Sequence, residues 1–267
     1  MYTSPKKLKT IALLVAAGHS ERMGGGVPKP YLYLGGESIL RRTVKIFLAH
    51  SEIDGVRVVI RREHLPYYRK EIEGLTIIPC VMGGDSRQES VRLGLESLSH
   101  HRPEKILIHD IARPFVSDKL ISDIIKSLDE YQAVIPAIAI SDTIKKIENG
   151  IVIGTIKRGG AVAAQTPQGF RYDSLCLAHN QAKGKNLTDD AAICELANIP
   201  VASIDGERNN FKITYQEDLK QMETILSLNM ETRVGMGYDV HTLATHEIDT
   251  PVTQQNIKIC GIQIPST

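Results

Sequence analysis

Glycines and cations are interleaved in a segment near the N terminus, directly after an apolar run that is typical of a buried strand. The segment covers residues 16–29 and includes Gly18, Arg22 and Lys29. Glycines let backbone N–H groups approach a polyphosphate closely, and the two cationic side chains supply positive charge. The spacing fits neither GxxxxGK(S/T) nor GxGxxG, which disfavours a P-loop NTPase and a dinucleotide site. The segment predicts a phosphate-binding loop; the alternative is a flexible turn with solvated cations.

A second polar cluster, formed by His109, Asp110 and Arg113, also follows a predicted strand. A carboxylate at the carboxyl end of a strand is well placed to bind a ribose hydroxyl or a metal ion that accompanies phosphates. A purely structural alternative is an ion pair between Asp110 and Arg113. Both interpretations remain open from the sequence alone.

A third cluster, at residues 83–90, combines a Gly-Gly turn with polar side chains and leads into a predicted helix. It contains Gly84, Asp85 and Ser90. Its structural alternative is an ordinary helix N-cap formed by Asp85 or Ser86, a role that is compatible with ligand contact.

The three clusters follow three predicted parallel strands, so we expect them to meet at one edge of the sheet. Such an edge suits nucleotide phosphates held by backbone amides and cations. Upstream of residue 230 there is no Ser-His-Asp order, Cys–His pair or HExxH motif. The sequence therefore favours catalysis by positioning and charge stabilisation, as in phosphoryl transfer.

The elements that must position these residues alternate between short apolar runs and amphipathic stretches. Five strands are expected, at 10–15, 56–60, 76–79, 105–108 and 133–138, with helices at 38–50, 86–98 and 117–128. Ser117 is the expected N-cap of the last of these helices. Alternation at this spacing predicts an α/β fold: a Rossmann-like, mostly parallel sheet with helices on both faces.

Residues 141–157 interrupt the alternation. Two short β segments, at 143–147 and 151–156, flank Glu148-Asn149-Gly150, and Asn-Gly between apolar residues is a strong hairpin signal. We expect a protruding β-arm (about residues 141–157) that leaves the main sheet.

Composition excludes several classes of protein. Of the 267 residues, 42% are hydrophobic and 24% charged, which excludes intrinsic disorder. The formal net charge of +1 gives no argument for nucleic acid, and no apolar run is long enough to span a membrane. The four cysteines lie far apart, so we expect a reduced, cytoplasmic protein.

A new strand is expected to begin at Arg233, after an amphipathic helix expected at Gln216–Leu228. We therefore divide the chain into a domain at 1–230 and a segment at 231–267. The second segment is too short for its own core, so it is either a docked extension or the opening of a truncated second domain.

Several short motifs together resemble a known family. The segment at 16–29 resembles nucleotidyltransferases that activate sugar and polyol phosphates. Further motifs, in order, narrow the resemblance to the 2-C-methyl-D-erythritol 4-phosphate cytidylyltransferase family over residues 10–228: Gly83-Gly84-Asp85-Ser86-Arg87, His109-Asp110-x-Ala112-Arg113-Pro114, Asp142-Thr143, Gln165-Thr166-Pro167-Gln168, Thr188-Asp189-Asp190 and Lys212-Ile213-Thr214. The implied fold is of the nucleotide-diphospho-sugar transferase type.

The resemblance implies a nucleotide site for CTP. Arg22 and Lys29 would stabilise the charge that develops on the α-phosphate. The nucleotide would also contact Ala16, Ala17, Gly18, Gly84, Asp85, Ser90, Asp110 and Arg113. Asp110 would meet the ribose or the Mg²⁺ that is bound to CTP.

The resemblance also implies an acceptor site for methylerythritol phosphate. Arg158 and Lys212 would hold its phosphate, and Thr143 and Thr166 would add hydroxyl donors. In this family the β-arm crosses to a partner subunit, which implies a homodimer in which Thr143 and Arg158 serve the neighbouring site. Structural alternatives are a turn cation for Arg158 and an edge-strand lysine for Lys212.

The segment from Arg233 to His241 resembles the opening of 2-C-methyl-D-erythritol 2,4-cyclodiphosphate synthase, which some bacteria fuse behind the cytidylyltransferase. Asp239 and His241 would be half of a divalent metal site, for a cation such as Zn²⁺, in the full-length second domain. That family supplies another histidine from a segment that this sequence lacks, so we expect no cyclase activity from this chain.

Three positions depart from the family pattern: Pro30, Ile111 and Asn209. None removes a charge that is assigned to chemistry. The alternatives are a related sugar-phosphate nucleotidyltransferase and a nucleotide-binding module without turnover. Retention of Arg22 and Lys29 speaks against the second, because a pure binder needs no cations directed at the α-phosphate.

Overall fold

The computed structural model describes residues 8–18, 26–228, 256–259 and 262–265. By contacts the chain separates into two units, Met1–Asn229 and Met230–Thr267. Among the described residues, no helix is long and apolar enough to cross a membrane.

The first unit alternates strands and helices. Its strands are β1 (Thr10–Val15), β2 (Tyr33–Leu34), β3 (Glu37–Ser38), β4 (Gly55–Ile60), β5 (Ile78–Met82), β6 (Lys105–Asp110), β7 (Ala133–Ala139), β8 (Ile144–Glu148), β9 (Ile151–Ile156), β10 (Val162–Ala164), β11 (Gln168–Arg171) and β12 (Val201–Asp205). Its helices are α1 (Ile39–Ala49), α2 (Leu65–Glu71), α3 (Arg87–Ser97), α4 (Asp118–Ser127), α5 (Tyr172–Gln181), α6 (Asp190–Leu196) and α7 (Gln216–Leu228). Short 3-10 helices lie at Lys29–Tyr31 and Arg62–His64. In the second unit, β13 (Asn256–Ile259) pairs antiparallel with β14 (Ile262–Pro265).

The main sheet has the strand order β10-β7-β11-β6-β1-β4-β5, and β12 pairs with β7. Strands β6, β1, β4 and β5 run parallel, as do β7 and β12. Strand β11 lies antiparallel between β6 and β7. The predicted α/β fold is thus confirmed, and its sheet is mixed because β10 and β11 return in the opposite direction.

Strand β1 shows why helices cover both faces. Successive side chains of a strand point to opposite faces, and here both sets are fully buried. Ala12 and Leu14 join a core with side chains of α1 and α4, whereas Ile11 and Leu13 join a core with side chains of α3, α5 and α6. A continuous apolar run is therefore required in this central strand.

Polar side chains determine where the helices begin. Ser117 accepts a hydrogen bond from the Leu120 N–H at 3.1 Å, which confirms the predicted N-cap of α4. Ser38 and Asp189 cap α1 and α6 in the same way. Each cap satisfies a backbone donor that would otherwise lack an intrahelical partner.

Strand β5, the third of the predicted strands, differs from its predicted bounds. The expected strand at 76–79 is displaced to Ile78–Met82, because Pro79 does not end it. The pairing register between β4 and β5 shifts between Arg57 and Val59, opposite Pro79. Proline is tolerated at a bulge of an edge strand, where no ladder donor is needed.

The predicted β-arm is present as the hairpin β8–β9. Asn149 and Gly150 have φ values of 49° and 80°, as a turn with two left-handed residues requires. Ile147, Ile151 and Val152 are 59%, 69% and 55% exposed. Within the described residues, the two strands pair only with each other.

Gly169, in β11, allows helix α4 to approach the sheet closely. A Cβ atom there would lie 2.4 Å from Ile124 Cγ2 and 3.1 Å from Leu128 Cδ1. We expect Gly169→Ala to lower the free energy of unfolding by about 2 kcal/mol, because the core must shift to admit the methyl group. Denaturant titration followed by circular dichroism measures this.

Gly26→Ala is the control, because Gly26 is exposed and has no atom within 4 Å of the added Cβ. We expect a change of under about 0.5 kcal/mol. Equal effects of the two substitutions would contradict the packing argument.

Candidate active site

A cleft of about 310 Å³ lies at the carboxyl ends of β1 and β6. It is lined by Val15, Ala16, Ala17, Gly18, Lys29, Pro30, Asp85, Ser86, Arg87, Asp110, Ile111, Ala112 and Lys212. The structure therefore brings together the three predicted loops and adds the segment that carries Lys212. The volume lies at the lower end of the range for small-molecule sites.

Asp110, the last residue of β6, is the central carboxylate of the cleft. Arg87 Nε donates to its Oδ1 at 3.0 Å, and Lys212 Nζ donates to its Oδ2 at 2.6 Å. Burial alone would raise the pKa of Asp110, but the two cations hold it far below its usual range. The carboxylate is therefore ionised and available to a hydroxyl group or a cation.

Arg87 connects the cleft to a buried acidic residue that sequence reasoning missed. Its Nη1 donates to Asp190 Oδ2 at 2.7 Å, and His179 Nε2–H donates to Asp190 Oδ1 at 3.0 Å. Burial would lower the pKa of Arg87, but the carboxylates of Asp190 and Asp110 raise it above its ordinary value. We call the set Lys212, Asp110, Arg87, Asp190 and His179 the charge chain.

Asp190 is fully buried, and among the described residues its charge is compensated by Arg87 and His179 of the charge chain. Burial would raise the pKa of Asp190, but Arg87 and His179 hold it below its usual range. The sequence contains one signal for Asp190, its place in the Thr188-Asp189-Asp190 motif of the family. Without that motif, an aspartate in the first turn of a helix is explained by its favourable interaction with the helix N terminus.

His109 supports the backbone of Asp110 from below the cleft. Its Nε2–H donates to the Arg113 carbonyl oxygen at 3.0 Å, so Nδ1 accepts from the Thr166 hydroxyl at 3.1 Å. Thr166 Oγ1 in turn accepts from the Asp110 N–H at 3.1 Å. Burial lowers the pKa of His109 to about 4, which keeps the ring neutral. The predicted donation from Thr166 to a substrate must therefore compete with this internal bond.

Arg113 does not form the ion pair with Asp110 that was the structural alternative. Its Nη1 donates to the Asn210 carbonyl oxygen at 2.6 Å, and Asn210 Nδ2 donates to the Thr166 carbonyl oxygen at 2.8 Å. Burial lowers the pKa of Arg113. These bonds join the loop after β6 to the segment before Lys212.

Lys29 is bonded to the backbone of Ile213, the residue that follows Lys212. Lys29 Nζ donates to the Ile213 carbonyl oxygen at 3.1 Å, and the Ile213 N–H donates to the Ala112 carbonyl oxygen at 2.8 Å. The two cations therefore line the same cleft from opposite ends of the sequence.

The turn at 83–90 is organised by Ser86 and Ser90. Ser86, rather than Asp85, is the N-cap of α3 and accepts from the Glu89 N–H at 3.0 Å. Ser90 is fully buried, and its Oγ donates to the Ser86 carbonyl oxygen at 2.8 Å. Gly84 N–H donates to Ser90 Oγ at 3.2 Å. Ser90 thus shapes the turn and does not line the cleft, whereas Asp85 does.

Two predicted residues lie on the β-arm side and outside the cleft lining. Thr143 is exposed, and Arg158 Nη1 donates to the carbonyl oxygens of Ser141 and Ile140, the second at 3.3 Å. Arg22, Asp239 and His241 lie outside the described residues.

Two of the family departures are accommodated locally. Pro30 lies within the 3-10 helix Lys29–Tyr31, near its start, where proline costs no helical hydrogen bond. Ile111 is buried in the core beneath the cleft and donates its N–H to the Val15 carbonyl oxygen at 3.2 Å. Asn209 is exposed and lies before the buried Asn210.

A divalent cation at this site would depend on Asp110. Among the described residues, no group of three or more His, Cys, Asp or Glu side chains could hold a metal ion. Mg²⁺ commonly uses one or two carboxylates together with substrate phosphates and waters, which an ionised Asp110 in a cleft fits.

The buried charge of Asp190 makes stability depend on pH. Its folded-state pKa is lowered, so its contribution is present above its unfolded pKa of about 3.9 and is lost as pH falls further. We expect Asp190→Asn to cost about 3 kcal/mol at neutral pH. The difference from wild type should shrink over the acidic range, as pH falls from neutral through about 3.9 and below. Urea titrations across this range measure it, and a difference independent of pH would contradict an ionised Asp190.

The comparisons with known proteins agree with this geometry. Residues 10–228 match the family described as "IspD: 2-C-methyl-D-erythritol 4-phosphate cytidylyltransferase". The chain is similar to the crystal structure of 4-diphosphocytidyl-2C-methyl-D-erythritol synthase from Anaerococcus prevotii, with a TM-score of 0.72, 30% identity and coverage of 83% of this chain and 97% of that one.

Similar curated proteins are named "Bifunctional enzyme IspD/IspF". The one from Rhodospirillum rubrum is 44% identical over 258 residues, covering 96% of this chain and 65% of that protein. The one from Wolbachia pipientis is 41% identical over 264 residues, covering 97% and 65%. The chain thus spans about two thirds of their length. The predicted nucleotidyltransferase class is confirmed, and the chain belongs to the 2-C-methyl-D-erythritol 4-phosphate cytidylyltransferase family.

Proposed function

We propose that the chain transfers the cytidylyl group of CTP to 2-C-methyl-D-erythritol 4-phosphate, giving 4-diphosphocytidyl-2-C-methyl-D-erythritol and pyrophosphate in non-mevalonate isoprenoid precursor biosynthesis. The observation that carries this proposal is the cleft itself, in which Lys29, Lys212 and the ionised Asp110 meet three loops at the strand ends. Family membership supplies the identity of the two substrates.

The reaction requires no covalent nucleophile from the protein. An oxygen of the acceptor phosphate attacks the α-phosphorus of CTP, and the bond from that phosphorus to the β-phosphate oxygen breaks. Pyrophosphate leaves with the electron pair of that bond. The protein's contribution is to align the two phosphates and to stabilise the negative charge that grows on the α-phosphate.

The cations of the cleft suit this role. Lys29, tethered to the Ile213 carbonyl oxygen, would stabilise the α-phosphate together with Arg22. Lys212 would bind the acceptor phosphate, which must compete with Asp110 for its ammonium group. Asp110 would hold the Mg²⁺ that accompanies CTP, and this ion supplies neutralisation of phosphate charge when bound. Ala16, Ala17, Gly18 and the turn at 83–90 would surround the nucleoside.

Two alternatives remain for the same cleft. A related sugar-phosphate nucleotidyltransferase would use another base or acceptor, and a nucleotide-binding module would bind CTP without turnover. Two lysines in one cleft suit a phosphate-bearing acceptor, which favours an enzyme over a binding module. Family membership is what favours methylerythritol phosphate over another sugar phosphate.

The substrate assignment is tested by pyrophosphate release. We expect release with CTP and methylerythritol 4-phosphate plus Mg²⁺, and none with the other three nucleoside triphosphates or without acceptor. Lys29→Ala should lower kcat by about 100-fold or more, because a charge aimed at the transition state is lost. Lys70→Ala, an exposed lysine outside the cleft lining, is the control and should match wild type. Release with another nucleotide would overturn the substrate, and CTP binding without turnover would indicate a binding module.

We further propose that the protein is a homodimer formed through the β-arm. The arm exposes Ile147, Ile151, Val152 and Ile153, which are 47% to 69% exposed in the single chain. Such an apolar surface on a protruding hairpin is suited to burial against another chain. Thr143 and Arg158 lie on this side, where they would reach a partner's cleft.

Subunit mixing tests the shared site. Arg158→Ala and Lys29→Ala homodimers should each be nearly inactive. A heterodimer of the two has one site with both residues intact, so an equal mixture refolded together should recover about a quarter of wild-type activity. No recovery, with dimers present by analytical ultracentrifugation, would show that Arg158 serves its own subunit.

Residues beyond 230 are proposed to begin a cyclodiphosphate synthase domain. The matches to the bifunctional relatives cover 96% and 97% of this chain and therefore extend past residue 228. In the longer protein, Asp239 and His241 would bind a divalent cation such as Zn²⁺. A cytoplasmic location is proposed for the whole protein.

A further inference from the structure

We propose that Asp190 is a positioning residue that controls, through Arg87, how Asp110 presents its carboxylate to the nucleotide. This inference rests on the proposed function. Asp190 lies behind the cleft and is absent from its lining, so it acts through another residue rather than on the substrate.

The geometry of Arg87 is the first argument. The guanidinium bridges two acids from different sides: Nε donates to Asp110 at 3.0 Å, and Nη1 donates to Asp190 at 2.7 Å. Its third nitrogen, Nη2, is buried and has no hydrogen-bond partner within the described part of the chain. Asp190 and Asp110 are therefore the anchors that determine the orientation of the group.

The cost of burying Asp190 is the second argument. A fully buried carboxylate is expensive unless it is paired and hydrogen-bonded. Both oxygens of Asp190 are paired, one with Arg87 and the other with His179, which is itself 2% exposed. Helices α5 and α6 thus hold a fixed negative charge against Arg87.

This fixed charge changes what Arg87 does to Asp110. While Asp190 holds Nη1, Arg87 gives Asp110 a single bond through Nε, and Lys212 gives its other oxygen a single bond, so the carboxylate keeps lone pairs for a ligand. Without the charge of Asp190, the guanidinium faces Asp110 alone and is free to turn into a two-bond pairing through Nε and Nη2, in competition with Lys212 for the second oxygen. Asp110 would then be a poorer partner for a ribose hydroxyl or a cation.

Calorimetric titration of CTP with Mg²⁺, in the absence of acceptor, tests the inference without using turnover. We expect Asp190→Asn to weaken CTP binding by about 10-fold, as is typical for a group that orients a ligand-binding carboxylate. Asp173→Asn is the matched control. It removes an exposed aspartate that is paired with Arg102 and lies in α5, the helix that also carries His179, and this variant should bind CTP as wild type does.

A double-mutant cycle separates positioning from general damage. In the Asp110→Asn background, Asp190→Asn should have no further effect on CTP affinity, because its route of action is gone. Circular dichroism establishes that each variant is folded at the assay temperature. If Asp190→Asn does not fold, Asp190→Glu replaces it in the cycle, since it keeps the negative charge but moves the carboxylate relative to Arg87.

Two results would overturn the inference: wild-type affinity in Asp190→Asn, or an equal loss whether or not Asp110 is present. The absence of CTP binding to the wild-type protein would instead overturn the proposed function, and this inference with it.

Discussion

The candidate site depends on the division of one guanidinium between two acids. Arg87 begins α3, Asp110 ends β6 and Asp190 begins α6, so a single side chain links three elements that are far apart in sequence. The two acids keep Arg87 charged within a mostly buried setting, and Arg87 keeps both acids ionised. Each acid has one further partner, Lys212 for Asp110 and His179 for Asp190, and Arg87 is the partner that the two share.

Around this interaction, buried strands support the site and loops supply its polar groups. The central strand β1 buries its side chains on both faces, so a ligand can be reached at its carboxyl end. There the chain changes to small residues, and the cations enter from the 3-10 helix Lys29–Tyr31 and from the segment before α7. The apolar layers below provide rigidity, and the loops provide the polar atoms.

Much of this architecture is predictable from local patterns, because apolar runs, serine caps and the Asn149-Gly150 turn are local signals. Strand β11 is not predictable in this way, since Gln168 and Gly169 have low strand propensity. Gly169 is required by the close approach of α4, and Gln168 is bonded to Asp189 and Ala191 at the start of α6. The cleft loops were found because they follow strands directly. The contact from Arg87 to Asp190 was not predicted, because it joins residues 103 positions apart. Each residue also has an ordinary role in the first turn of its own helix, which gives no reason to pair them.

The bond from Lys29 to the Ile213 carbonyl oxygen joins residues 184 positions apart. During synthesis, β1 can find β4 and β6 long before Ile213 leaves the ribosome, because all three strands precede residue 111. At that stage the chain contains Lys29 but neither the Ile213 carbonyl oxygen to which it donates nor Lys212. Contacts of such long range require the closure of a long loop, so we expect the cleft to be completed after the sheet that supports it.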